Sequence, residues 1–166
     1  HLPEKAVYVA WSFGGLVAAS IAARYPERVE RLVGISTTPK FVEEDGWPGV
    51  PQPGFKASFS EVKRVGLKAF LKSMYDMEFA SFEPKPDTYH YLLGLLEDID
   101  EDKAEALLKG IDICDETDLR KAFAKINCPI DLIYGDKDSV VPVAAYALMK
   151  ALSKNVALHP IVNAQH

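Results

Sequence analysis

The sequence predicts an α/β fold, a parallel sheet flanked by helices with a helical block inserted into it, and three observations carry that prediction. Short, apolar, β-rich runs lie near both ends of the chain, at residues 6–10 (AVYVA), 31–36 (RLVGIS), 130–134 (IDLIY) and 157–162. Continuous apolar runs of this length are what strands covered on both faces look like. Helix-spaced segments follow the first and third runs, and between residues 59 and 120 the patterning is helical only.

Taken in order, residues 6–10 read as a buried parallel strand, followed by a sharp turn at 11–15 and a helix that ends near Tyr25, just before Pro26. The run at 31–36 is the second strand, joined to the first by a right-handed crossover. The next stretch, TTPKFVEEDGWPGVPQPGF, is rich in Pro and Gly and reads as irregular loop leaving the sheet. Helices are expected at 60–77, 88–98, 103–109 and 118–123, then the third strand at 130–134, a helix at 143–152 and a last strand at 157–162. The predicted division is a core of residues 1–40 and 121–166 with a helical lid at 41–120.

The 166 residues are 48% hydrophobic with a formal charge of -5, which fits a folded soluble protein and argues against nucleic acid as the default partner. No run reaches the ~20 apolar residues of a membrane span, and no start resembles a signal peptide, so the cytoplasm is the expected location; a monomer is also expected. Cys114 and Cys128 follow no metal-ligand spacing and are expected as free thiols; neither metal nor cofactor is called for. The chain opens at His1 without an initiator Met and stops at His166 after an apolar run, which predicts a piece of a longer protein.

The chemistry begins at Ala10-Trp11-Ser12-Phe13-Gly14, a small-x-Ser-x-Gly pattern between a strand and a helix. A tight turn there forces the serine into a strained conformation that lifts its hydroxyl above the sheet, and small flanking residues let strand and helix approach. Gly14 and Gly15 meet that need on the helix side, while Ala10 stands where glycine is usual. The Phe13 N–H, at the helix start, is placed to donate to a developing oxyanion. A serine hydroxyl needs a base to take its proton and a carboxylate to orient the base. Asp138 in YGDKDSVVP and His166 in NAQH follow the third and fourth strands in that order. Asp136, directly after Gly135, is read as a turn former; His159 falls within the last strand as a packed or paired side chain; His90 sits among the lid helices; and His1 has no context.

In the lid, Arg64, Lys68 and Lys72 recur every four residues and are expected to line one helix face, with Lys56 and Lys63 adding positive charge. Such a face is either solvated or a docking surface for an acidic partner. Phe70, Met74, Met77 and Phe79 are expected to pack the lid core or cover the active site.

The run AWSFGGLVAASIAARYPERVERLVGISTTPKF, the EDGWPG after it, TDLR and IYGDKDSVVP resemble the biotin-biosynthesis carboxylesterases that demethylate pimeloyl-[acyl-carrier protein] methyl ester, within the α/β-hydrolase superfamily. Tryptophan before the nucleophile is the more specific mark. The resemblance implies the C-terminal part of an α/β-hydrolase fold, with Ser12, Asp138 and His166 as the triad. It further implies that Trp11 and Phe13 line the ester site, that Phe70, Leu71, Lys72, Ser73 and Met74 contact the pimeloyl chain, and that Arg64, Lys68 and Lys72 hold the acidic carrier. Such enzymes also use a His-Gly motif for a second oxyanion donor, which this sequence lacks, so the chain by itself is expected to be a poor catalyst with a bare sheet edge. A thioesterase, an acyltransferase, a carbon-carbon bond hydrolase or a noncatalytic carrier-binding module are the alternatives.

Overall fold

The computed structural model describes residues 3–51 and 54–166. They form two compact units, the first made of His1–Gln52 with Cys114–His166 and the second of Pro53–Ile113. The second unit is thus shorter than the expected 41–120, because residues on either side of it fold with the sheet.

The first unit is built on four parallel strands in the order β1 (Ala6–Trp11), β2 (Val29–Ile35), β3 (Ile130–Gly135) and β4 (Val156–Ile161). The register pairs Tyr8 with Leu32, Leu32 with Ile130 and Leu132 with Leu158. Helix α1 (Gly14–Arg24) follows β1; much later in the chain α6 (Arg120–Phe123) precedes β3 and α7 (Val143–Leu152) follows it. Ala19 of α1, Phe123 of α6 and Met149 of α7 line a small cavity together with Leu32 and Leu132 of the sheet. Small residues in α1, with Ala18, Ala19 and Ala22 all buried, let that helix lie close to the strands.

The opposite face departs from the expectation. β1 is not covered on both faces: Val7, Val9 and Trp11 point away from the helices and are exposed, as is Ile161 of β4. β1 is also an edge of the described sheet. Continuous hydrophobicity therefore marks the strand correctly without fixing what covers it. On this face Asp131 accepts from Arg31 and lies 2.8 Å from His159 Nε2, so these contacts run diagonally across β2, β3 and β4.

The second unit holds α2 (Gly54–Val65), α3 (Leu67–Glu78), α4 (Asp87–Glu97) and most of α5 (Ala104–Glu116). The single helix expected at 60–77 is two helices. Gly66 takes φ 88°, which ends α2, and the Glu101 carboxylate accepts from the N–H groups of Leu67 at 2.7 Å and Lys68 at 3.2 Å, capping the start of α3. The break overturns the predicted basic stripe: Arg64 ends α2, whereas Lys68 and Lys72 belong to α3, so the four-residue spacing does not run along one helix. Among the described residues, no helix is long and apolar enough to cross a membrane. Cys114 is buried and Cys128 half-buried, and both are free thiols.

Candidate active site

Three non-glycine residues take positive φ among the described residues, Ser12 at 50°, Ser36 at 45° and Asn163 at 59°. Each such conformation costs an L-residue on the order of 1–3 kcal/mol and persists only where surrounding contacts enforce it. All three lie at the carboxyl ends of parallel strands, β1, β2 and β4, where an open α/β sheet gathers its functional groups.

Ser12 closes the turn between β1 and α1. Its N–H donates to Ile35 O at 2.9 Å, and its carbonyl accepts from Gly15 N at 2.9 Å and from Thr37 Oγ1 at 2.7 Å. Gly15 is the glycine that the turn cannot exchange, since a Cβ there would lie 2.0 Å from Thr37 Oγ1. At Gly14 the added carbon would meet Ala10 Cβ at 3.8 Å, an ordinary contact, so alanine in the place usual for glycine finds room. Phe13 is the N-cap of α1 and makes no side-chain cap hydrogen bond; its carbonyl accepts from Leu16 N at 3.0 Å.

Asp138 follows β3 and is buried. Its Oδ1 accepts from Val140 N at 2.8 Å and Val141 N at 2.9 Å. Burial pushes its pKa up, but the hydrogen bonds from His166 and these two amides together outweigh it and hold the carboxyl below its ordinary value. Asp136 turns the neighbouring segment by accepting from Asn163 N at 2.7 Å. Lys137 N donates to Ala164 O at 2.9 Å, so the loop after β4 is laced to the loop after β3. Gly135 makes the close approach possible, because a Cβ there would sit 2.2 Å from Ala164 O.

That lacing delivers His166. Its Nδ1 stands 3.0 Å from both Asp138 oxygens and its Nε2 stands 2.8 Å from Ser12 Oγ. With Nδ1 protonated toward the carboxylate, Nε2 is the acceptor for the serine hydroxyl. The indole of Trp11 lies beside the imidazole with ring centroids 5.3 Å apart, and its Nε1 donates to His166 O at 3.1 Å. Behind Asp138, Tyr146 of α7 stacks on Tyr134 at 3.9 Å between centroids; burial, followed by the charge of Asp138, raises the pKa of its phenol.

The other histidines lie elsewhere. His159 pairs with Asp131 on the sheet face, His90 packs edge-on to Tyr89 in the second unit, and His1 lies outside the described residues. Phe70, Leu71, Lys72, Ser73 and Met74 are consecutive on α3; Phe70 is buried, Ser73 Oγ donates to Phe70 O at 2.7 Å, and Lys72 pairs with Asp76 at 2.7 Å. Arg64 bonds Glu61 through Nε at 2.9 and 3.0 Å, and Lys68 Nζ donates to Glu97 O at 2.9 Å. The three cations expected to dock a partner thus each have a partner within their own unit.

Thr37 and Gly135 were not singled out from the sequence as parts of this site. The available signals were modest: a threonine just past a strand in STTP, and a glycine closing the third strand in IYGDKD.

A family profile described as alpha/beta hydrolase fold matches residues 1–166. The chain belongs to the alpha/beta hydrolase family. Among curated members, a pimeloyl-[acyl-carrier protein] methyl ester esterase of Pectobacterium carotovorum is 34% identical over 143 residues, covering 84% of this chain and 54% of the relative. One of the same description from Pseudoalteromonas atlantica is 30% identical, covering 99% of this chain and 64% of the relative. The chain therefore spans between about half and two thirds of the length of these relatives. Among solved alpha/beta hydrolase structures, an esterase from Exiguobacterium antarcticum superposes with TM-score 0.83 at 21% identity, over 96% of this chain and 59% of the other. A bromoperoxidase from Bacillus anthracis gives TM-score 0.80 at 23% identity, over 95% and 59%.

Proposed function

We propose that the full-length protein is a serine carboxylesterase that hydrolyses a methyl ester, with pimeloyl-[acyl-carrier protein] methyl ester of biotin biosynthesis as its substrate. The observation that supports this most is the continuous chain of hydrogen-bond contacts from Asp138 through both nitrogens of His166 to Ser12 Oγ. The names of the curated relatives supply the substrate class, and the resemblance around Trp11, Ser12 and Trp47 supports carrying it over.

In this reading Ser12 Oγ attacks the ester carbonyl carbon while His166 Nε2 takes the hydroxyl proton. The Phe13 N–H donates to the oxyanion, and Asp138 stabilises the imidazolium. His166 then protonates the departing methoxide, which leaves as methanol and gives an acyl-enzyme on Ser12. A water, its proton accepted by His166, attacks the acyl carbon; the free acid leaves and Ser12 Oγ recovers the proton. Trp11, held against His166, borders the ester site. The acyl chain contacts residues 70–74 of α3, and Arg64, Lys68 and Lys72 meet the acidic carrier by exchanging their local partners.

The test is methanol release from the carrier-linked methyl ester by the full-length protein, beside Ser12→Ala and beside a free methyl ester. Turnover that vanishes in Ser12→Ala and prefers the carrier-linked ester supports nucleophile and substrate together. Turnover on free esters only would keep the esterase and reject the carrier. No release from either ester would reject the esterase and favour another acyl chemistry or a binding module.

A further inference from the structure

We propose that Thr37 is a positioning residue for the Ser12 nucleophile, its hydroxyl fixing the carbonyl of the turn so that Oγ stays within reach of His166. The inference rests on the serine-hydrolase reading above and adds to it a residue outside the Ser-Asp-His set.

Ser12 holds a backbone conformation that its own side chain disfavours, at φ 50°, so something beyond β1 and α1 must hold it. The end of β2 does so from both sides of the residue. Ile35 O takes the Ser12 N–H at 2.9 Å, and Thr37 Oγ1 donates to the Ser12 carbonyl at 2.7 Å. Between them stands Ser36, itself at φ 45° with its N–H bound to Ile133 O at 2.9 Å, so the chain turns sharply between the two groups that grip Ser12. A second strained residue next to the gripping one is hard to explain by packing alone.

Gly15 completes the argument. Thr37 Oγ1 occupies the space in which any Cβ at residue 15 would stand, at 2.0 Å. Both ends of the contact are thus shaped for it. Thr37 is buried, so water is poorly placed to replace its hydroxyl. Its Cγ2 methyl fills a separate place, 2.8 Å from where a Cβ on Gly34 would lie. Valine at 37 keeps the branched shape and the methyl and removes only the donor; serine keeps the donor and removes the methyl. The two variants therefore separate positioning from packing.

The experiment measures ester turnover and the rate of Ser12 labelling by a fluorophosphonate in the full-length protein, for Thr37→Val, Thr37→Ser, Gly15→Ala and the Gly15→Ala/Thr37→Val pair, with Ser12→Ala as control. Misplacing a reacting atom by a fraction of an ångström is enough for Thr37→Val to lower kcat by roughly tenfold or more, with KM held within about twofold, and labelling is expected to slow in parallel. Thr37→Ser is expected to retain most of the rate, and the double variant to be no worse than the poorer single one, because both changes break the same contact. Wild-type kcat in Thr37→Val, or a Thr37→Ser variant as slow as Thr37→Val, would overturn the proposal while leaving the esterase standing. Turnover that survives in Ser12→Ala would instead remove the serine-hydrolase reading and the proposal with it.

Discussion

His166 Nε2 lies 2.8 Å from Ser12 Oγ across 154 residues of sequence, and the same imidazole places its Nδ1 3.0 Å from both oxygens of Asp138. The carboxylate selects the tautomer that leaves Nε2 free to accept. Asp138→Asn keeps the size but offers an amide that can donate to Nδ1 and so favour the wrong tautomer. The expected result is a fall in kcat on the order of 10³–10⁴ with little change in KM, against complete loss in Ser12→Ala. Steady-state kinetics on a methyl ester with the full-length protein decide it.

Gly135→Ala tests how His166 is delivered. The added methyl would sit 2.2 Å from Ala164 O, two residues before the histidine, and that carbonyl is already bound to Lys137 N at 2.9 Å. The loop after β4 must therefore shift. Activity is expected to drop by about 100-fold. The melting temperature should change far less, since the contact sits at the end of the sheet rather than in its core. A variant with wild-type kcat would show that the loop accommodates the methyl without moving His166.

The strands, α1, α7 and the positions of Ser12, Asp138 and His166 beyond strand ends were legible because each rests on a local signal: apolar runs, small residues after a turn, and polar residues following a strand. Asp136 and His159 also lie where local context put them, one shaping a turn and the other paired with Asp131. What was not legible depends on contacts between distant segments. Gly66 falls inside the helix expected at 60–77, and the partner that stabilises the break there, Glu101, lies 34 residues away from Leu67. Exposure of Val9 could not be read from AVYVA, because strand composition reports hydrophobicity and not what covers the strand. Thr37 fills the space a Cβ on Gly15 would take, and Ala164 O the space a Cβ on Gly135 would take, which no spacing rule encodes.

Asp118 offers a pH test away from the site. The Arg120 guanidinium hydrogen-bonded to it, outweighing partial burial, lowers its pKa to about 2. The Arg120 group also bonds Glu44 and lies over the Trp47 ring, 5.3 Å from its centroid. A carboxyl whose folded pKa is depressed stabilises the fold above its unfolded value, near 4, and loses that contribution as pH falls toward 2. The melting temperature of Asp118→Asn should thus lie below wild type by a constant margin above about pH 5, and the two curves should converge as pH approaches 2. A margin that persists at the acid end would mean the loss is one of packing rather than charge.

The break at Gly66 gives the last prediction, on the second unit alone. Leu67 N and Lys68 N begin α3 with no carbonyl one turn back, and the Glu101 carboxylate takes both, at 2.7 and 3.2 Å. The negative charge also sits at the positive end of the helix dipole, so hydrogen bonding and electrostatics act together. Glu101→Ala leaves both N–H groups to solvent and is expected to cost about 1 kcal/mol. Glu101→Gln keeps an acceptor oxygen but not the charge, and should fall between the two. Gly66→Ala strains the same junction from the backbone side, because φ 88° is unfavourable for alanine, and should add a loss of about 1–2 kcal/mol. Hydrogen exchange localises the effect: in Glu101→Ala the amides of Leu67 and Lys68 should exchange faster, while those of β2 and β3 stay protected. Uniform acceleration across both units would place Glu101 in global stability instead and reject its role as the cap of α3.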